Sequence, residues 1–206
     1  MEALAIVIGY LLGSIPFAYI AGRLIKGVDI RQAGGGNVGA VNTMREIGTA
    51  AGIGVLLADI AKGALAVLVA QWMGVSILFV FIAGFAAVVG HNWPVFLKFK
   101  GGIGLATTMG VLLGLTPVEF AISFAIMVIV VFITSNMRLG AGIGLAILPL
   151  IIWGFGGAVS LIVYSLALPI FIGLRSIPTL KRDIATAGSK QGLIIDRKYK
   201  PWQSKK

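Results

Sequence analysis

Two glycine-rich segments carry the residues whose types and spacing suit phosphate binding. In the first segment, residues 28–45, the relevant positions are Gly34, Gly35, Gly36, Asn37, Asn42 and Arg45. Glycine permits positive φ angles, so successive backbone N–H groups can turn toward one point and hold an anion. The planar guanidinium of Arg45 can then close on the same phosphate. The alternative is a plain interhelical connector whose arginines only orient the chain in a membrane.

The second segment, residues 90–104, places Lys100, Gly101 and Gly102 directly before an apolar run. A Lys-Gly-Gly-x-Gly turn before a helix directs backbone amides and the positive helix N-terminus toward an anion. His91, the only histidine of the chain, lies at the boundary of the preceding apolar run. It is either a group for acid–base chemistry or a packed interfacial residue. Lys100 is either a phosphate ligand or a contact to lipid headgroups.

A few polar residues interrupt the apolar runs themselves. Asp59 and Lys62 are three residues apart, so they share a helix face, and we expect an ion pair that faces the bundle. Tyr10 and Ser14 are one helical turn apart. Ser14 either bonds back to a helix carbonyl or contacts a ligand.

The composition excludes several kinds of chemistry. Cysteine is absent and histidine occurs once, which rules out disulfides, thiol catalysis, cysteine–zinc sites and multi-histidine metal sites. The glycine runs follow no strand and form no P-loop, so we expect neither a metal nor a nucleotide cofactor. With 58% hydrophobic and 12% charged residues among 206, the chain is also a poor candidate for a soluble globule.

These segments must be positioned by membrane helices, and the predicted fold is an all-α polytopic membrane protein. A helix that crosses the hydrocarbon core needs about 17–25 apolar residues. Seven candidates are present, of which the fourth and sixth are short: residues 3–21, 50–73, 75–93, 103–115, 118–134, 139–153 and 158–174.

The distribution of basic residues predicts the orientation. Lysine and arginine occur in the first, third and fifth loops and in the C-terminal tail, whereas the other loops contain none. The odd loops and the tail are therefore expected in the cytoplasm, with the N-terminus outside. This pattern predicts a membrane domain at 1–174 and a basic tail at 175–206. The net charge of +10 then reflects contact with anionic lipid headgroups, and no nucleic-acid partner is expected.

Up to this point the residues indicate an anionic ligand at the lipid boundary, either for an enzyme of lipid phosphates or for a transporter. The combined motifs favour the enzyme. The stretches Tyr10-Leu-Leu-Gly-Ser-Ile-Pro-Phe17, Gly34-x-Gly-Asn-Val-Gly-Ala40, Asp59-Ile-Ala-Lys-Gly63 and Gly90-His-Asn-Trp-Pro-Val-Phe96 resemble one family. It is the bacterial membrane acyl-phosphate:glycerol-3-phosphate acyltransferase family, PlsY, and the resemblance covers about residues 8–182.

The resemblance implies transfer of a fatty acyl group from acyl phosphate to glycerol 3-phosphate, giving lysophosphatidate for phospholipid biosynthesis. It implies a bacterial inner-membrane enzyme with cytoplasmic site loops, a groove between helices for the acyl chain, and a soluble enzyme that supplies acyl phosphate. The donor phosphate would itself be the base, and His91 is a weaker catalytic candidate. The implied substrate- and phosphate-binding residues are Ser14, Gly34, Gly36, Asn37, Asn42, Arg45, Lys100, Gly101 and Gly102.

Five positions depart from the family pattern. Gly35 and Val41 stand where the family has serine and threonine in its first loop, and Ile103 replaces the second lysine of Lys-Gly-Gly-Lys-Gly. Ser176 and Thr179 stand where a His-x-x-Asn pair is expected. These departures support an alternative: a catalytically lapsed paralogue that binds a phosphorylated lipid or precursor, or regulates an active copy.

Overall fold

The computed structural model describes residues 1–186, and in this range the chain is helical with connecting loops and one short 3-10 turn at Val95–Leu97. The α-helices of this part are α1 Glu2–Ser14, α2 Phe17–Lys26, α3 Ala40–Glu46, α4 Thr49–Trp72, α5 Ile77–Asn92, α6 Leu105–Leu115, α7 Pro117–Thr134, α8 Met137–Gly154 and α9 Val159–Thr186. The predicted all-α class is confirmed.

The helices have the length and exposure of membrane spans. Within the described part, six stretches are long and apolar enough to cross a bilayer: Glu2–Lys26, Thr49–Trp72, Ile77–Leu97, Pro117–Thr134, Met137–Gly154 and Val159–Lys181. Large apolar side chains such as Leu57, Ile129 and Phe132 are exposed on them, as expected for surfaces that face lipid. Leu105–Leu115 is a seventh, shorter apolar helix. The side of the membrane on which each loop lies stays a prediction.

The first span is broken in the middle, which corrects the continuous helix expected over residues 3–21. Helix α1 ends at Ser14, Ile15 is extended with φ −61° and ψ 117°, and α2 begins at Phe17. Pro16 explains the break, because a proline lacks an N–H group and disfavours helical geometry in the preceding residue. At the break the carbonyl of Ile15 accepts the N–H of Phe17 at 3.2 Å, and its second lone pair can bond another partner.

Backbone contacts divide the chain into two compact units, Met1–Leu115 and the part that begins at Thr116. In the first unit, glycines allow helices to approach closely. A Cβ atom at Gly13 would overlap the backbone of Ala87, which brings α1 against α5. A Cβ at Gly110 would overlap the backbone of Ile60, which brings α4 against α6. The hydrophobic effect does not drive helices together in lipid, so close packing at small residues is what stabilises these helix pairs.

The loop between α2 and α3 is anchored by its own apolar core. Ile30 and Val38 from the loop are buried against Ala18 of α2 and Val55 of α4, and Leu97 of the short 3-10 turn joins the cluster. The segment is therefore a packed part of the first unit.

The second unit contains α7, α8 and α9. Ser123 of α7 donates a hydrogen bond to the carbonyl of Gly144 in α8 at 2.7 Å, and Asn136 caps the N-terminus of α8. Helix α9 continues without a break across residues 174 and 175, so the helix does not end where the predicted tail begins. A change of composition from apolar to basic does not by itself end a helix. The tail beyond residue 186 lies outside the described residues.

Candidate active site

Asn42 holds the shape of the first loop, which is the loop between α2 and α3. It lies in the first turn of α3, and its side chain is buried. Its Oδ1 accepts a hydrogen bond from the N–H of Gly35 at 3.0 Å, and its Nδ2 donates to the carbonyls of Ile30 and Ala33 at 3.2 and 3.1 Å. The side-chain amide thus ties three backbone positions of the loop to α3.

The two outer glycines of the triplet are required by the backbone. Gly34 and Gly36 have φ angles of 55° and 68°, in the left-handed region that favours glycine. A Cβ atom at Gly34 would also lie 2.6 Å from Oδ1 of Asn42. The N–H groups of Gly35 and Gly36 bond to Asn42 and to the carbonyl of Ala33. Among the described residues the N–H groups of Gly34 and Asn37 make no backbone hydrogen bond, and a carboxylate oxygen of Glu46 lies close to Gly34, 2.5 Å from where a Cβ would stand.

The basic residues of the first loop differ in surroundings. Arg31 donates to Asp29 from Nη2 at 2.6 Å and from Nε at 3.0 Å, and lies 5.1 Å from the ring centroid of Tyr19. This hydrogen bond from Arg31 lowers the pKa of Asp29 to about 2. Arg45, in the last turn of α3, is exposed. It lies three residues after Asn42 and therefore on nearly the same side of the helix.

The third loop, between α5 and α6, closes on its own ends. Gly101 donates its N–H to the carbonyl of Asn92 at 3.2 Å, and Gly102 donates to the carbonyl of His91 at 3.1 Å. A Cβ at either glycine would overlap backbone or side-chain atoms of this closure. In this conformation both predicted phosphate-binding amides are therefore used by the loop itself. Lys100 is exposed beside them.

A buried charge cluster, formed by Asp59, Lys62 and His91, lies next to the two loops. Lys62 and Asp59 form an ion pair with Nζ and Oδ1 2.8 Å apart, and their side chains are 3% and 2% exposed. Lys62 also donates to the carbonyl of Ile15 at 2.9 Å, at the break in the first span. Nδ1 of His91 faces Oδ1 of Asp59 at 3.6 Å. The predicted ion pair is present, and the ring of His91 adjoins it.

A small cavity adjoins this cluster. Its lining includes Ser14, Phe17 and Val38 beside the three cluster residues, and its volume of about 10 Å³ matches about one water molecule. Ser14 is fully buried and donates to the carbonyl of Tyr10 at 2.8 Å, which is the back-bond considered from the sequence.

The predicted site residues thus fall into two groups. Gly34, Gly36, Asn37, Asn42 and Arg45 form one loop and its following helix, whereas Ser14 and His91 line the buried cavity beneath. Gly102 connects the groups, because a Cβ there would overlap Nε2 of His91 and lie 2.5 Å from the carbonyl oxygen of Val38. Among the described residues, no three of the types His, Cys, Asp and Glu are grouped so as to hold a metal ion.

Sequence reasoning missed several residues that shape the site. Asp29 fixes Arg31, and Val38 forms the contact between the two loops. Asn92, Thr107 and Thr108 are fully buried, and their side-chain polar atoms have no hydrogen-bond partner among the described residues. An unpartnered buried polar group is uncommon in proteins. Only the spacing of Asp29 and Arg31, two residues apart, carried a local signal, since the other contacts join distant parts of the chain.

The helices and their exposed apolar surfaces define an integral membrane protein, and comparison with known proteins identifies its family. The glycerol-3-phosphate acyltransferase family model matches residues 3–186. The chain is 41% identical to glycerol-3-phosphate acyltransferase 1 of Dehalococcoides mccartyi over 204 residues, covering 96% of this chain and 98% of that protein. It is also 41% identical to glycerol-3-phosphate acyltransferase 2 of Moorella thermoacetica, covering 93% and 98%.

The fold comparison agrees. A crystal structure of PlsY, an integral membrane glycerol 3-phosphate acyltransferase, in its glycerol 3-phosphate form matches with a TM-score of 0.81. The identity is 31%, and the match covers 90% of this chain and 92% of that chain. The chain therefore belongs to the glycerol-3-phosphate acyltransferase family. The predicted family and its acyltransferase class are confirmed.

Proposed function

We propose that the protein transfers a fatty acyl group from acyl phosphate to the sn-1 hydroxyl of glycerol 3-phosphate, giving lysophosphatidate and inorganic phosphate. Family membership supports the acceptor and the acyl transfer. A matching PlsY structure is described in a glycerol 3-phosphate form and another in a lysophosphatidic acid form. The observation that carries the proposal is the first loop, which Asn42 holds in a shape with two positive-φ glycines and which is followed by the exposed Arg45 on α3.

In this mechanism the first loop binds phosphate and orients the substrates. The N–H groups of Gly34 and Asn37 point the loop's partial positive charge at a phosphate, and Arg45 adds a charge-assisted hydrogen bond. Asn42 acts by holding the loop. Lys100, exposed beside the closed third loop, supplies a second cation. When the phosphate of acyl phosphate and the phosphate of glycerol 3-phosphate are both held, the acceptor hydroxyl lies next to the acyl carbon. Proximity then provides much of the rate.

The chemical step needs no covalent enzyme intermediate, because acyl phosphate is an activated mixed anhydride. The acceptor oxygen attacks the acyl carbon, the bond from that carbon to the phosphate oxygen breaks, and the departing phosphate takes the hydroxyl proton. The loop amides and cations offset the charge that develops on the donor. His91 is buried against Asp59, which supports the donor phosphate over His91 as the base.

The cellular setting follows from the charge distribution. Basic loops and tail favour a bacterial inner-membrane protein whose site faces the cytoplasm, with Met1 outside. A soluble enzyme that makes acyl phosphate is then a suitable partner on the same side. Membrane lipids supply the surroundings for the acyl chain. No metal or nucleotide enters the proposed reaction.

The test is an assay of the purified protein in detergent with palmitoyl phosphate and glycerol 3-phosphate. We expect lysophosphatidate and inorganic phosphate in equal amounts, and no product when palmitoyl-CoA replaces palmitoyl phosphate. Product from palmitoyl-CoA at a similar rate would overturn the proposed donor. Binding of glycerol 3-phosphate without turnover would support the alternative suggested by Gly35, Val41, Ile103, Ser176 and Thr179, a lapsed paralogue.

A further inference from the structure

We propose that Asp59, Lys62 and His91 are positioning residues for acyl transfer, and that they hold the first and third loops in register at Gly102. The proposal rests on the proposed function and adds residues that lie below the substrate-binding loops. None of the three is placed at the reacting atoms. Each acts through the backbone that it contacts.

The first step is the attachment of α1 to α4. Lys62 of α4 bonds both Asp59 and the carbonyl of Ile15, at 2.8 and 2.9 Å. Its Nζ also lies 5.7 Å from the ring centroid of Phe17, the first residue of α2. The cation therefore contacts both sides of the break in the first span. Helix α2 leads directly into the first loop, so this attachment fixes where that loop starts.

The second step joins the same cluster to the third loop. His91 faces Asp59 with Nδ1, and its Nε2 lies against Gly102, where an added Cβ would overlap it. The carbonyl of His91 accepts the N–H of Gly102 at 3.1 Å. His91 thus touches the charge pair with one edge of its ring and the end of the third loop with the other.

The third step is the contact between the loops. An added Cβ at Gly102 would lie 2.5 Å from the carbonyl oxygen of Val38, so this glycine is packed between the first loop and His91. The path from Lys62 to Val38 contains no exposed side chain. A change in the charge cluster therefore moves both loops relative to each other while leaving their own residues intact.

A burial argument supports a role beyond stability. Two charges that are 3% and 2% exposed cost desolvation free energy, and apolar residues of similar volume often replace such pairs without loss of stability. An ion pair kept only for stability would therefore be replaceable. The geometry assigns it instead to holding the Ile15 carbonyl and the His91 ring, which apolar side chains cannot do.

The test uses this difference with the double variant Asp59→Leu/Lys62→Met, which leaves no unpaired charge. We expect its thermal stability in detergent to stay near that of the wild type, while kcat/KM for glycerol 3-phosphate falls at least tenfold. Ser123→Ala is the matched control, because Ser123 is equally buried and bonds only α8. We expect this control to lower thermal stability and leave kcat and KM unchanged. A folded double variant with wild-type kcat and KM would overturn the inference.

His91→Leu provides a second test that keeps the Asp59–Lys62 pair and does not depend on folding of the double variant. We expect kcat/KM to fall at least tenfold, with the pH profile of the remaining activity unchanged in shape. Loss of one limb of that profile would make His91 a catalytic residue and overturn the positioning role. Unchanged kinetics would overturn it as well. An inactive wild type would instead contradict the proposed function, which separates the two failures.

Discussion

At the scale of single residues, Arg31 and Arg45 take different roles because their surroundings differ. Arg31 is engaged by Asp29 through two hydrogen bonds and stacks on Tyr19, so its charge is committed to holding the loop. Arg45 is exposed on α3, three residues after Asn42. The sequence alone could not separate these roles, since both residues are basic and lie in the same segment, residues 28–45.

The first prediction compares two exposed arginines. Arg45→Ala should weaken binding of glycerol 3-phosphate by about 2–3 kcal/mol, because one charge-assisted, partly desolvated hydrogen bond is lost. Arg138→Ala, on α8, is the control and should have little effect. Binding to the purified variants by calorimetry measures both. Equal small effects would mean that Arg45 serves only the orientation of the chain.

The second prediction concerns Ile103, which is partly buried two residues before α6. A lysine there would place an ammonium near a phosphate held by the loops, whereas isoleucine supplies neither charge nor donor. Ile103→Lys should therefore raise turnover about tenfold, equivalent to about 1.4 kcal/mol of transition-state stabilisation. The control is Ile103→Met, which should give no gain. High wild-type turnover with no gain from lysine would show that another group, such as Lys100, already fills this role.

A related comparison uses the first loop. Gly35 has a φ outside the left-handed region occupied by Gly34 and Gly36, so its backbone accepts a side chain. Should the wild type be inactive, Gly35→Ser/Val41→Thr together with Ile103→Lys should restore product formation. The assay is release of inorganic phosphate from palmitoyl phosphate in the presence of glycerol 3-phosphate. Continued inactivity of this triple variant would favour a lapsed paralogue.

At the scale of elements, hydropathy and length were sufficient to predict the long apolar helices but not the short helix α3, and local spacing was sufficient for the Asp59–Lys62 pair. The break at Ile15 was missed, because Pro16 lies within an apolar run and many membrane helices contain a proline. Contacts of His91 with Asp59, and of Gly102 with Val38, join residues more than 30 positions apart. No local pattern encodes such contacts, since they arise only when α1, α4 and α5 pack together.

The third prediction concerns the first loop and the Asp29–Arg31 ion pair within it. The pKa of Asp29 is lowered to about 2 from its ordinary 3.8 by the hydrogen bond from Arg31. The ionised carboxylate therefore stabilises the folded loop fully above about pH 4, and this contribution is lost as the pH falls toward 2. Asp29→Asn should lower thermal stability at pH 6, and its difference from the wild type should shrink between pH 4 and 2. A difference that stays constant over this range would contradict the assignment.

At the scale of the whole molecule, the proposed site has a sidedness that only the charge distribution predicts. Basic residues in alternate loops favour a cytoplasmic first loop, third loop and tail. The proposed supply of acyl phosphate by a soluble enzyme would require the first and third loops to share the cytoplasmic side.

The fourth prediction tests this sidedness with single cysteines, which is straightforward because the natural chain has none. Gln32 is exposed in the first loop, and replacing it avoids Gly36, whose φ of 68° favours glycine. We expect Gln32→Cys to react with a membrane-impermeant maleimide only after the cells are opened. Ser76→Cys, a nearly isosteric change in the exposed second loop, should react in intact cells and serves as the control. Labelling of Gln32→Cys in intact cells would invert the orientation and place the proposed phosphate-binding loops outside, where a cytoplasmic donor could not reach them.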